Sequence, residues 1–177
     1  MEYQRDFTIG VKETQDFYVG LQLAKWRGGL LGFGAVGVLT AWMYLGMLAP
    51  TLEGAGKLAA AVGIGAAVMA VIVVCMVLFT RQKVAAQVRA SGRTQYVQQT
   101  EINGFGVHVT VEKDKAKLPF DRIHKVRETK KAIYIHLSDT QAWILPKSQM
   151  AGEEEAARLL EMLSSVIESG RLQLRKR

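Results

Sequence analysis

The chain has 177 residues, with 23 Lys and Arg against 16 Asp and Glu and a net charge of +7, enough for one soluble domain or for a smaller domain plus membrane spans. Its single cysteine, Cys75, excludes an intramolecular disulfide and any CxxC metal site. Charge is unevenly spread: none falls between Gly28 and Leu52, and none between Leu58 and Thr80.

Residues 1–27 form a polar N-terminal segment, expected on the cytoplasmic side. Phe7, Ile9 and Val11 alternate as in a strand, and the following "ETQDFYVGLQLAKW" has helical character with Thr14 as its N-cap. Such a strand is expected to pair with a later sheet or to shield one of its edges.

Residues 28–80 read as a transmembrane hairpin with spans at about 28–49 and 58–80, each covering roughly 30 Å or more as a helix, the thickness of a bilayer's hydrocarbon core. The first run starts too far from Met1 and is too long for a cleaved signal peptide, and is expected to be an uncleaved anchor. It contains Gly32, Gly34 and Gly37 in G-x-G-x-x-G spacing. A dinucleotide site needs those glycines between a strand and a helix. Here "QLAKWR" precedes them, and they sit within an uncharged run. The nearby "EGAGKL" lacks the first glycine of a phosphate loop and has Leu58 where Ser or Thr would bind magnesium. No nucleotide is expected. Small residues one turn apart instead suit close helix packing in lipid. Gly28 and Gly32, and Ala59, Gly63 and Ala67, show that step and form the expected packing face; Ala61 and Gly65 repeat it on a neighbouring face. The link "PTLEGAG" favours a tight antiparallel pair.

Lys25 and Arg27 precede the first span, and the basic juxtamembrane segment 81–93 follows the second with Arg81, Lys83, Arg89 and Arg93. Under the positive-inside rule both termini face the cytoplasm, so the protein is expected in the cell membrane as a multi-pass chain. The four basic residues either stop transfer and continue the helix, or contact anionic lipid headgroups. The other basic residues interleave with acids, as in "VEKDKAK" and "RIHKVRETKK", unlike a phosphate-tracking stripe, so no nucleic acid is expected.

From Thr94 the period changes. "YVQQTEI", "VHVTVEK" after the turn "NGFG", "AKLPFDRIHKVRET", "AIYIHLS" and "AWILP" are short strands at close spacing, an antiparallel meander. Glu153, Glu154 and Glu155 then open a helix whose Ala156, Leu159, Leu160, Leu163, Val166 and Ile167 form an apolar face, with Gly170 as its stop. Residues 94–170 thus outline a small sheet capped by one helix, pleckstrin-homology-like in plan, with 171–177 a basic tail. The fold class is an α+β membrane protein: a two-helix hairpin plus this cytoplasmic domain.

The order of parts resembles the YcxB-like membrane proteins of bacteria: a strand leading into "TQDF", two spans, a turn-rich strand pair, "LPFDRIHKVRETKKAIYIHL", and "AWILPKSQM" before an acidic-started helix. Leu145, Pro146 and Lys147 of "ILPK" are the carried-over motif residues. Pro146 is expected to end the last strand, since it cannot donate to the ladder, with Lys147 as a polar exit residue. The resemblance implies a cytoplasmic domain similar to bacterial pleckstrin-homology folds and brings no defined biochemical activity. Some related small proteins look like membrane-bound protection or immunity factors.

No catalytic constellation emerges. His108, His124 and His136 lack metal-ligand spacing, and by alternation His108 and His136 are expected to be exposed. Neither span contains an ionisable residue, which argues against an ion pathway. No catalytic, metal or cofactor site is expected. Two functions remain open: a non-enzymatic, membrane-anchored module that presents its domain to a protein partner or to the inner leaflet, in a protective or regulatory role; or a subunit of a channel, transporter or immunity complex, or a homo-oligomer, assembled through the glycine-rich spans.

Overall fold

The computed structural model describes residues 2–49, 51, 54–92 and 94–175. The chain divides into two units, Met1–Phe17 with Gln87–Arg177, and Tyr18–Ala86. Pro50 and Glu53 of the link, like Arg93, lie outside the described residues.

The first unit begins with β1 (Tyr3–Gly10), which turns Phe7 and Ile9 fully inward. The next elements in the chain are two long helices, α1 (Val11–Leu48) and α2 (Gly54–Ala90), and only then comes β2 (Gln95–Asn103). Even so, β1 and β2 are antiparallel neighbours over eight residues, from Tyr3 opposite Ile102 to Gly10 opposite Gln95. The hairpin is therefore an insertion between two adjacent strands of one sheet. The sheet continues with β3 (Gly106–Val111) and β4 (Asp114–Pro119), in the order β1-β2-β3-β4.

A second sheet follows: β5 (Lys125–Glu128), β6 (Ala132–His136) and β7 (Ala142–Pro146), then α3 (Glu153–Val166) and the short β8 (Leu172–Gln173). Its order is β7-β6-β5-β8, antiparallel except for β8, which runs parallel to β5. The single small sheet expected from sequence is thus two four-stranded sheets. The segment expected as a tail contributes β8, and the helix stops at Val166, before Gly170, which lies in a 3₁₀ turn.

The two sheets and α3 enclose one core, in which Ile102, Val107, Ile123, Val126, Ile133, Ile135, Leu145, Leu159 and Leu163 are all 2% exposed or less. Each such side chain contributes about 1.5–3 kcal/mol. On β2 the buried face is that of Gln98, Thr100 and Ile102. The two polar members are satisfied: Gln98 Nε2 donates to Thr100 Oγ1 at 3.1 Å and to the Ile144 carbonyl at 3.3 Å. Strand β6 is buried at all five positions. Ile133 and Ile135 face the core, while the first turns of α1 cover Tyr134 and His136.

Helix α1 starts at Val11, earlier than expected. Glu13 Oε2 accepts the Gly10 N–H at 3.0 Å, the reciprocal half of a capping box. Thr14 is therefore not the N-cap; its hydroxyl donates back to the Gly10 carbonyl at 3.0 Å.

The second unit is the helical pair. Both helices are long and apolar enough to cross a membrane, and only 6% of each apolar window is buried. Leu31, Met43, Met47 and Leu48 are 72–81% exposed, whereas the core helix of a soluble protein would hide them. Ala61 is fully buried and Ala41 is 8% exposed. A Cβ on Gly65 would lie 2.6 Å from Val38 Cγ2, and one on Gly37 3.8 Å from the Gly65 Cα. The seam thus runs through Gly34, Gly37, Val38 and Ala41 on α1 and Ala61, Gly65 and Met69 on α2.

Gly28, Gly32, Ala59, Gly63 and Ala67 are all exposed, and nothing lies within 4 Å of a Cβ placed on Gly28, Gly32 or Gly63. The intramolecular contact is a different face from the expected one. With the turn near Thr51, facing residues have numbers summing to about 102, as Gly37 and Gly65 do, but the angular face decides the contact: at about 100° per residue Gly32 lies about 140° around the helix from Gly37, and Gly63 about 160° from Gly65.

Candidate functional site

The "ILPK" segment is the point where most chemistry converges. Leu145 is fully buried in the core. Pro146 closes β7 opposite Ala132. Lys147 turns back: its N–H donates to the Lys131 carbonyl at 2.8 Å, and its Nζ donates to Glu128 Oε1 at 2.5 Å. It is more than a polar exit residue, because it neutralises a carboxylate that is only 6% exposed.

Beside this motif lies a cavity of about 440 Å³ bordered by Lys12, Asp16, Lys130, Lys131, Pro146 and Lys147. Asp16, on the first turns of α1, accepts from Lys131 Nζ at 2.7 Å. Phe17 on the next position packs at a tilt against Tyr134 and His136, at ring-centroid distances of 5.4 and 5.7 Å. The start of α1 is thus fastened to β6 by a three-ring cluster and to the residue before β6 by an ion pair. The sequence signal was present: "TQDF" supplies both the acid and the ring, although their partners lie more than a hundred residues away.

His136 is only 2% exposed, not exposed as alternation suggested, because α1 covers what would have been the solvent face of β6. Neither ring nitrogen has a hydrogen-bond partner among the described residues. Burial lowers its pKa from 6.5 to about 4 and Lys125 across the ladder pushes the same way, against a smaller opposing pull from the Ser138 backbone. Burial likewise raises the Tyr134 hydroxyl, although a bond from Thr129 opposes the shift. His124 is exposed and meets Asp139 at 3.1 Å, and His108 is partly buried on β3.

A third cluster joins β1 to α3. Glu155 accepts from Arg5 Nη1 at 2.6 Å, from the Tyr3 hydroxyl at 2.9 Å and from the Ala151 N–H. Burial alone would raise this carboxyl, but the Ala151 N–H, Tyr3 and Arg5 together hold it below its ordinary value. Desolvation and the neighbouring carboxylate push the Tyr3 hydroxyl well up.

On α2, Arg81, Lys83 and Arg89 are exposed. At about 100° per residue they point in three directions and make a collar around the helix, not a stripe.

Residues 102–163 match the family model described as YcxB-like protein. The match runs from the end of β2 through β7 and most of α3, including the whole "ILPK" motif, and covers about a third of the chain. No curated protein and no solved structure matches this chain.

Proposed function

We propose, starting from the match of residues 102–163 to the YcxB-like family model, that the protein is a non-enzymatic module anchored in the cell membrane by its helical hairpin. Its pleckstrin-homology-like domain faces the cytoplasm and presents a surface to a protein partner. The observation that carries this is the β1–β2 ladder, because the hairpin leaves from Gly10 and returns to Gln95, adjacent positions in one sheet. A pair of spanning helices inserted there must enter and leave on the same side. The basic collar of Arg81, Lys83 and Arg89, with Lys25 and Arg27 ahead of the first span, favours the cytoplasm for that side. A four-stranded antiparallel sheet, a second sheet whose β5, β6 and β7 are antiparallel and which β8 extends, and a covering C-terminal helix support the pleckstrin-homology-like reading. The ion pairs among the domain's clefts tie elements together, as with Glu155–Arg5 and Lys147–Glu128, and support a presenting role over a catalytic one.

Accessibility labelling tests it. In a Cys75→Ser background, Thr51→Cys should react with a membrane-impermeant maleimide in intact cells. Thr140→Cys, in the exposed β6–β7 turn, should react only after permeabilisation. Labelling of Thr51→Cys only from inside would overturn the orientation, and recovery of the whole chain without detergent would overturn the anchor.

A second reading has one observation in its favour. The exposed small residues Gly28, Gly32 and Gly63 leave room for a further helix, as a subunit of a larger membrane complex would need.

A further inference from the structure

A cleft of about 630 Å³ lies between the first half of β1 and the outer flank of α3. None of the motif residues lines it. Strand β1 ends its sheet and is paired on one side only.

Two bonds identify its open side. The Thr8 N–H donates to Gln149 Oε1 at 2.6 Å, and the Thr8 carbonyl accepts from Gln149 Nε2 at 2.7 Å. The Gly10 N–H also leaves β2, towards Glu13. In an antiparallel ladder alternate residues aim their backbone groups the same way. The N–H and C=O of Gln4 and Asp6 therefore also face away from β2, and no hydrogen bond engages them among the described residues. The Gln149 amide imitates a neighbouring strand at Thr8; at Gln4 and Asp6 that place is open.

Facing this edge is one stripe of α3. Glu155, Leu159, Met162 and Ser165 follow at three- and four-residue steps, a span of about 15 Å. That length admits four or five residues of extended chain. Leu159 and Met162 give the groove an apolar floor that also touches the core. Its charge is opposite to that of the chain as a whole: Arg5 neutralises Glu155, and Glu2 and Glu161 outnumber Arg158.

We infer that this groove takes an extended, cationic segment of a partner protein, which adds to β1 as a further strand. The open N–H and C=O groups supply its main-chain bonds, and the partly exposed Met162 receives an inward-facing side chain. Glu2 and Glu161 select positive charge. The inference deepens the proposed presenting role by naming the partner's chemistry, yet the two fail separately, because maleimide labelling at Thr51 and Thr140 is indifferent to the groove.

The test uses the full chain in neutral detergent with a fluorescent heptapeptide alternating Lys and Val, read by anisotropy. The peptide should bind, while a Glu–Val counterpart and a fully backbone-N-methylated Lys–Val peptide should not. Gln4→Pro removes an outward N–H without touching the β1–β2 ladder, and Glu161→Lys reverses a rim charge. Each should weaken binding about five- to tenfold, with thermal melting unchanged. Equal binding of the N-methylated peptide would reduce the effect to charge attraction and overturn strand addition. Preference for the Glu–Val peptide, or no binding of either, would overturn the inference as well. The N-methylated ligand keeps the question answerable should Gln4→Pro misfold.

Discussion

Lys147 Nζ lies 2.5 Å from Glu128 Oε1, with the two side chains 21% and 6% exposed. The same carboxylate accepts the Arg175 N–H at 3.0 Å. One buried acid thus holds the end of β5, the residue after β7 and the chain beyond β8. Removing only the cation from such a pair strands a charge away from water, which costs about 3 kcal/mol or more.

Lys147→Met should therefore destabilise the domain by about 3 kcal/mol. Adding Glu128→Gln to that variant should return a large part of it. Denaturant melts of the two single variants and the double variant measure the coupling. A Lys147→Met protein as stable as the parent would make this lysine a mere exit residue.

The helical seam supplies a second expectation. A Cβ on Gly65 would collide with Val38, both at its side chain and at its backbone nitrogen, 3.1 Å away. Gly65→Leu should force the two helices apart. Gly63→Leu and Gly32→Leu project into open space and should leave the pair intact. Crosslinking between Cys substitutions at Ala41 and Ala61 reads the outcome. Loss of a higher-order mass on Gly63→Leu, with that crosslink preserved, would favour the larger membrane complex.

Much of this architecture was legible locally. Uncharged runs marked the hairpin, alternation marked β1 and β3, and the step from Ala156 to Leu163 marked α3. Hidden were features set by pairings distant in sequence. His136 alternates like an exposed residue, yet Phe17, 119 positions earlier, covers it. Four-residue spacing is degenerate along a glycine-rich helix, and only the angular face turned to the neighbouring helix selects Gly65 over Gly63 for the contact within the pair. Gln149 offers no pattern at all, since its partner is the backbone of Thr8. The division into two sheets depends on strand partners, which periodicity does not report.

Gly106 begins β3 with φ +154°, and a Cβ there would meet the Leu118 carbonyl oxygen and, at 2.9 Å, Pro119 Cα. Both neighbours are backbone of β4, which cannot yield without breaking the ladder. Gly106→Ala should cost at least about 2 kcal/mol. Gly104→Ala, in the same turn and in open space, is the matched control and should change little. Equal melting temperatures for the two would contradict the close approach of β3 and β4.

Stability should also depend on His136 in a defined pH window. Around its ring are Phe17 from α1, Tyr134 on its own strand and Lys125 across the ladder on β5, with Arg127 and His124 adding positive charge nearby. Unfolded, the imidazole takes a proton below its ordinary 6.5; folded, burial holds protonation off until about 4. A lowered histidine pKa means full stability above 6.5, a progressive loss between 6.5 and 4, and no further loss below, amounting to about 3 kcal/mol. Glu155 acts in a lower window, because its depressed carboxyl gives stability above the ordinary carboxylate range that disappears as pH falls through the folded value. His136→Phe keeps a ring against Phe17, removes two unpartnered nitrogens and removes the titration. It should be at least as stable as the parent at neutral pH and should show a shallower fall from pH 6.5 to 4.5. Parallel stability–pH curves for parent and variant would show that protonation of this histidine does not control the docking of α1 on β6.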